Sequence, residues 1–362
     1  MRIAIGHDLI ERHTDGNPQS FSDMWKAQAD EMGIEADVIE PLLPGAIERI
    51  AGYDAFIWRY RFHTPWTDAS PQIMALLEDV YGLPVWPPRI LRQSFENKID
   101  QSYLLSALGI PSPRTWVYWR EADARAALDT LPFPLVAKMS RGVRSEGVAL
   151  IETREEALLL IRQMFSVGLG SMAFMRDRKA RRWGRRTPLI DVLRRGRFKG
   201  LHERGYVLFQ EFVPGNSFDT RVVVQGDRGW ASRRIVRPGD FRASGSGVSD
   251  LSAQAIDPEA LALTWQLADA LGVKSLVTDV MRRDDRPIMG EFSYSMAAHV
   301  VRIWEGHWLR GPDGITWVDA PLDWPRAVFE DFVAEASAGR PAPWAGLPPA
   351  ARPVDGQNGI VV

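Results

Sequence analysis

The chain has 362 residues, of which 45% are hydrophobic and 25% charged, and its net charge is −2. Such a length suits two or three domains, and such a mixture excludes chain-wide disorder and a chain-wide basic surface for nucleic acid. There is no cysteine, which excludes disulfides, thiolate zinc sites, iron–sulfur clusters and a thiol nucleophile.

The opening residues, Met1–Asp8, meet charge too early for a signal peptide. No run approaches the roughly 18 apolar residues of a membrane span, so a water-soluble, cytoplasmic protein without membrane contact is expected. Ile3–Ile5, Ala36–Ile39, Ala55–Trp58 and Val85–Trp86 are β-rich, while Ser20–Met32 and Ser70–Tyr81 carry apolar residues at helical spacing. Alternation of this kind predicts a parallel sheet flanked by helices, a Rossmann-like α/β unit over residues 1–93 that closes near Pro87-Pro88.

Ser94 is the expected N-cap of a helix over Phe95–Leu108, closed by Gly109-Ile110-Pro111. Strands are predicted at Thr115–Trp119, Phe133–Met139 and Gly147–Ile151, with helices at Glu121–Leu128 and Glu155–Met164. Arg176–Arg204 then interrupts the pattern with 12 Lys or Arg against Asp177, Asp191 and Glu203, a local +9. From Tyr206 strands dominate: Tyr206–Phe212, Arg221–Gln225 and Ala231–Val236, then a helix at Pro258–Leu271 and strands at Ser275–Met281 and Pro287–Ser293. Five prolines after Gly339 predict an extended or disordered arm. The chain therefore divides at 1–93, 94–205, 206–310 and 311–362.

The sharpest chemical signal is Asp279 with Glu291. A hairpin centred on Asp285 sets these two carboxylates directly opposite, with Ser293 further along the same face. Like charges so placed repel, and a cation between them resolves the conflict. Oxygen-only ligation in an open site suits Mg²⁺ that keeps part of its hydration for phosphate oxygens; two strand carboxylates facing solvent would carry the same letters. Lys138 ends an apolar strand before the turn Ser140-Arg-Gly-Val-Arg-Ser-Glu-Gly147, where a phosphate could meet both the ammonium and backbone N–H groups. That turn does not match the P-loop consensus. Gln210-Glu211-Phe212-Val213 ends a strand at a sharp turn, leaving backbone groups free for a purine edge, and Asp219 is a candidate acceptor for ribose hydroxyls.

Taken in order, Lys98, Lys138, Gln210–Val213, Asp219-x-Arg221, Arg242, Asp279 and Glu291 resemble the ATP-grasp superfamily, closest to its carboxylate–amine ligase branch typified by the ribosomal-protein-S6 glutamate ligase. Phe209–Val224 and Arg237–Gly247 carry the strongest likeness, within a bacterial subgroup whose substrate the residues do not name. The resemblance spans about Ser94 to Trp308. It implies an α/β and α+β architecture: an ATP-grasp fold behind an N-terminal Rossmann-like domain. It also implies roles. Lys98 and Lys138 would hold the phosphates of ATP. Gln210, Glu211, Phe212 and Val213 would line the adenine, and Asp219 would bind ribose. Asp279, Glu291 and Ser293 would carry Mg²⁺ or Mn²⁺, with Ser293 standing where the family has Asn. Arg221, Arg234 and Arg242 would stand over the transferred phosphoryl group.

The reaction so implied is ADP-forming ligation of a small-molecule carboxylate to an amine through an acyl phosphate; ATP-grasp ligases often pair, which leaves a homodimer open, but one chain does not show its symmetry. Phosphoryl transfer asks a protein for positioning and charge stabilisation, which these residue types supply. The basic stretch is expected either to recruit an anionic acceptor or to lie solvated, with nucleic acid disfavoured by its sparse aromatics, Trp183 and Phe198. A phosphotransferase and a non-catalytic nucleotide-binding module are the alternatives.

Overall fold

Continuous apolar runs such as Ile3-Ala4-Ile5, buried on both faces, are what a parallel sheet between helices requires. A computed structural model describes residues 1–8, 11–12, 18–60, 62, 65–142, 147–170, 202–237, 247–296, 305–321 and 323–339. In it β1 (Arg2–Gly6) is followed by a short ribbon of β2 (Glu11–Arg12) and β3 (Pro18–Gln19), α1 (Phe21–Glu31), β4 (Glu35–Ile39), α2 (Ala46–Ala51), β5 (Ala55–Ile57), α3 (Trp66–Asp79) and β6 (Val85–Trp86). The parallel order β4-β1-β5-β6 reverses direction beside β1, so the carboxyl ends of β1 and β5 form the crevice of a doubly wound sheet.

One expected helix is two. The chain forms α4 (Arg89–Ser94) and α5 (Lys98–Ala107), and Asn97 replaces Ser94 as the cap. Its side-chain oxygen accepts from the Asp100 N–H at 3.3 Å, and Glu96 breaks the path by entering the left-handed region at φ 50°.

The next sheet is antiparallel. It comprises β7 (Thr115–Tyr118), β8 (Leu135–Lys138) and β9 (Val148–Ile151), with α6 (Glu121–Ala127) and α7 (Arg154–Phe165) covering one side. A ribbon of β10 (Leu169–Gly170) and β11 (His202–Glu203) leads into β12 (Val207–Glu211). The order is β7-β12-β8-β9, so β12 pairs inside this lobe although the sequence division was expected at 205/206. Most of the basic stretch, residues 176–201, lies outside the described residues, as does the proline-rich tail.

The third sheet contains β13 (Phe218–Gln225), β14 (Arg228–Ile235), β15 (Ser249–Asp250), β16 (Ser275–Arg283), β17 (Arg286–Ser293), β18 (His307–Gly311) and β19 (Gly314–Val318). Its order is β17-β16-β13-β14-β18-β19, with β15 beside β14. Helix α8 (Pro258–Leu271) packs on it and has complete end signals: the Asp257 carboxylate accepts from Glu259 N–H at 2.9 Å, Pro258 opens the helix, and Gly272 closes it at φ 66°.

Residues 311–339 hold more order than the sequence predicted: β19 and α9 (Trp324–Ala338). Helix α9 returns to the N-terminal unit, where Trp324 packs edge-on against Phe21 at 5.7 Å and Trp25 Nε1 donates to Pro325 O at 2.8 Å. Each such fully buried aromatic contributes roughly 1.5–3 kcal/mol. The N-terminal unit, the third sheet and α9 share one continuous core, whereas the β7–β9 lobe, centred on Leu135, Ile151, Ile161 and Phe209, has its own. Among the described residues no helix is long and apolar enough to cross a membrane.

Candidate active site

The site begins with a hairpin. Its two-residue turn, Asp284-Asp285, has φ of 48° and 61°, the double left-handed conformation whose twist matches paired strands. That turn pairs Arg283 with Arg286 and Val280 with Met289. Strict alternation from there would set Asp279 against Gly290 and send Glu291 to the other face. A bulge at Asp279/Val280 inserts one residue and brings Asp279 opposite Glu291. The expected pair is therefore present, but through a two-residue turn plus a bulge and not through a hairpin centred on Asp285. Gly290 permits it: a Cβ there would lie 2.8 Å from the Asp279 carbonyl oxygen.

The neighbouring strands answer the carboxylates with guanidinium groups. Arg221 lies across from Asp279, and Asp219 across from Arg234. Arg221 binds Asp279 in a two-pronged pair at 2.9 and 3.0 Å, Arg234 binds Asp219 likewise at 2.7 and 2.6 Å, and Arg234 also reaches Asp279 at 2.6 Å. Burial opposes the charge on Asp279, yet Arg221 and Arg234 hold its carboxyl well below the usual range. Burial and the Asp279 charge push Asp219 upward against the pull of Arg234. Both Asp219 oxygens are thus committed to Arg234, which a ribose would have to displace.

Glu291 faces the lysines. Lys138, at the end of β8, lies 3.2 Å from Glu291 Oε1, and Lys98, the first residue of α5, donates to Gly142 O at 2.9 Å. Burial opposes the Glu291 charge as well, but Lys98 and Lys138 hold its carboxyl down. Lys98, Lys138 and Glu291 line a solvent-open cleft between the two antiparallel sheets. Gln210 lines it too and donates to Thr115 Oγ1 at 3.0 Å. Glu211 pairs with Arg283, and Glu211, Phe212 and Val213 are not among the residues that line the cleft. Arg242 lies outside the described residues.

Ser293 shares the Glu291 face of β17, but its hydroxyl is used within its own turn: it accepts from Ser295 N–H at 3.3 Å and donates to Ser295 O at 3.2 Å. Asp279 and Glu291 are the two carboxylates left as candidate donors for a cation, and both Asp279 oxygens are already engaged by Arg221 and Arg234, which a cation would have to displace. Oxygen-only donors fit Mg²⁺, which takes one or two carboxylates and completes its shell with water and phosphate. The Glu291 side chain, 37% exposed, offers the more open of the two.

Two residues of the site escaped the sequence reading. Glu96 lies in electrostatic reach of Lys98, Glu291, Asp279 and Arg221, and burial pushes its carboxyl up to about 7. Gln101 closes the free edge of β17, accepting from Phe292 N–H at 3.2 Å and donating to Phe292 O at 2.8 Å, as a neighbouring strand would. The only local hint of either was proximity to the Asn97-Lys98 pair.

Two facing antiparallel sheets with a lysine-and-carboxylate cleft between them, behind a small parallel-sheet unit, decide the fold when set beside solved structures. The chain matches a RimK-domain ATP-grasp protein from Sphaerobacter thermophilus with a TM-score of 0.54 at 18% identity, covering 92% of this chain and 100% of that one. It matches a D-alanine–D-alanine ligase from Bacillus anthracis with a TM-score of 0.55 at 13% identity, covering 93% and 97%. The chain has the ATP-grasp fold. In sequence it is 25% identical over 202 residues to the ribosomal protein bS6–L-glutamate ligase of Escherichia coli O139:H28 and, over the same length, to a probable alpha-L-glutamate ligase of Citrobacter koseri. The chain spans about half the length of these curated relatives, 55%. No family model matches it.

Proposed function

We propose that the chain is an ATP- and Mg²⁺-dependent ligase that converts a carboxylate to an acyl phosphate and joins it to an amine, releasing ADP and phosphate. The observation that carries this reading is Glu291, which lines the cleft with Lys138 3.2 Å away and stands opposite Asp279 on the neighbouring strand. The names of the relatives support the ligase class.

A carboxylate and an amine do not condense in water because the carboxylate is a weak electrophile. Phosphorylation makes it one, and the residues present suit that step. Lys98 and Lys138 offset the charge of the nucleotide phosphates. Arg221 and Arg234 form a fixed cationic bank on the adjoining strands, where charge on a phosphoryl group in transit is stabilised without reorganisation. Asp279 and Glu291 would hold Mg²⁺, which when bound supplies Lewis-acid polarisation of phosphate oxygens. The separate cores of the lobes support closure over the nucleotide, and closure keeps water from an intermediate that hydrolyses readily.

A panel of carboxylates and amines screened for stimulated ADP release, with Lys138→Ala as the blank, tests the proposal. ADP release that needs both substrates is expected. AMP with pyrophosphate, or ADP release indifferent to amine, would overturn the ligation route.

A further inference from the structure

The turn after β8 is pinned at its root from two directions. On one side, Ser140 Oγ donates to Asn97 Oδ1 at 2.7 Å, Lys98 N–H donates to Ser140 O at 3.0 Å, and the Lys98 ammonium donates to Gly142 O at 2.9 Å. On the other, Tyr206 Oη accepts from Ser140 N–H at 2.6 Å and donates to Glu203 Oε2 at 2.5 Å, while Glu203 Oε1 accepts from Arg141 N–H at 3.1 Å. Every backbone and side-chain polar group of Ser140 is thereby engaged. Tyr206 is 5% exposed, so its hydroxyl depends on these partners. Neither Glu203 nor Tyr206 has a role in the reading given above.

We propose that Glu203 and Tyr206 are positioning residues for the nucleotide phosphates: they clamp the Ser140–Gly142 backbone and so hold Lys138 and Lys98 at a fixed separation. This rests on the nucleotide reading of the cleft. Lys138 lies two residues before Ser140, and Lys98 is tied to the far side of the turn, so slack at Ser140 is shared by both ammonium groups. A carboxylate receiving a backbone N–H makes a charge-assisted bond, stronger than a neutral one. The clamp is also the foot of the basic stretch, because Glu203 pairs with Leu169 where β10 and β11 close the segment between them. Whatever displaces that ribbon pulls on the phosphate turn, and nucleotide binding opposes the displacement to the same extent.

The test titrates MgATP into the full chain and into Glu203→Gln, Tyr206→Phe, the double variant and Lys138→Ala, with melting temperatures measured without nucleotide. Glu203→Gln and Tyr206→Phe are each expected to weaken MgATP binding about tenfold or more, the loss of one charge-assisted contact. Because both act on one strip of backbone, the double variant should bind no more weakly than the worse single one. Hydrogen exchange at residues 140–142 should accelerate in both, with melting temperatures close to that of the parent. Parent-like MgATP binding in both variants, with weakened binding in Lys138→Ala, overturns the clamp alone. Parent-like binding in Lys138→Ala removes the nucleotide reading of the cleft and the clamp with it.

Discussion

Arg234 is the hinge of the charge cluster, and Arg234→Met tests whether the cluster is balanced as its geometry implies. The guanidinium serves two carboxylates, Asp219 at 2.7 and 2.6 Å and Asp279 at 2.6 Å. The side chains of Arg234, Asp219 and Asp279 are only 11%, 15% and 17% exposed, so water replaces little of what is lost. Asp279 keeps Arg221, but Asp219 is left as a buried charge without its partner. Breaking a buried pair from one side typically costs 3–5 kcal/mol, and the residual exposure here argues for about 3. The orphaned carboxylate, already raised by burial and the Asp279 charge, is pushed up further once Arg234 no longer opposes them, and it can escape by taking a proton. A group raised in this way keeps its stabilising contribution at low pH and loses it as pH climbs, so the variant should be penalised more at pH 8 than at pH 5. Urea unfolding followed by tryptophan fluorescence, at both pH values, measures the difference. The double variant Asp219→Asn/Arg234→Met should recover most of the loss at pH 8. A penalty below about 1 kcal/mol, or one equal at both pH values, would refute the shared-guanidinium account.

Gly290→Ala drives a Cβ to 2.8 Å from the Asp279 carbonyl. It should cost about 1–3 kcal/mol and raise the Mg²⁺ concentration needed for half-maximal ADP release, since the bulge sets the carboxylate pair; an unchanged Mg²⁺ requirement would count against the bulge's role. Ser293→Asn, which places an amide where the hydroxyl now closes its own turn, should leave turnover intact or tighten Mg²⁺ dependence. Complete loss of activity would give the hydroxyl another task. Glu96, pushed up to about 7 by burial, binds a proton in the folded chain that the unfolded chain has released above its ordinary value of 4.5. Its contribution is complete below that value and fades as pH rises through 7, so Glu96→Gln should flatten the decline between pH 5 and 8 by about 1 kcal/mol or more. Parallel pH–stability curves for the parent and Glu96→Gln would contradict this.

Elements with their own end signals were legible. Pro258–Leu271 was read to the residue because Asp257, Pro258 and Gly272 mark its ends and each acts locally. The helix at 95–108 was misplaced because Ser94 and Asn97 are both acceptable caps. The choice between them depends on Glu96 entering the left-handed region and on Ser140, more than forty residues later in the chain, bonding Asn97. Helix α9 was missed although Trp324, Val328, Phe329 and Phe332 are buried at helical spacing; its reason for folding is the surface of α1, some 300 residues earlier in the chain. The same limit hid Gln101 and Glu203. A side chain that caps a distant strand or clamps a distant turn leaves no period in its own neighbourhood.

The carboxylate pair shows how a correct contact can come from an incomplete register. Centring the hairpin on Asp285 puts its extra residue in the turn, whereas the chain puts that residue at Gly290, inside the ladder. Beyond the insertion both assignments pair the same residues, so Asp279 meets Glu291 either way. Between turn and bulge they differ at every position: Val280 faces Met289 and Met281 faces Ile288. Only the bulged register explains why glycine stands immediately before Glu291, where any side chain would meet the Asp279 carbonyl. Sequence periodicity constrains where an inserted residue has its effect, and backbone crowding decides where it sits. The pairing of the two carboxylates thus rests on a residue with no side chain, and Gly290→Ala separates the two registers: a hairpin centred on the turn would accept it on an edge strand, and the bulged one would not.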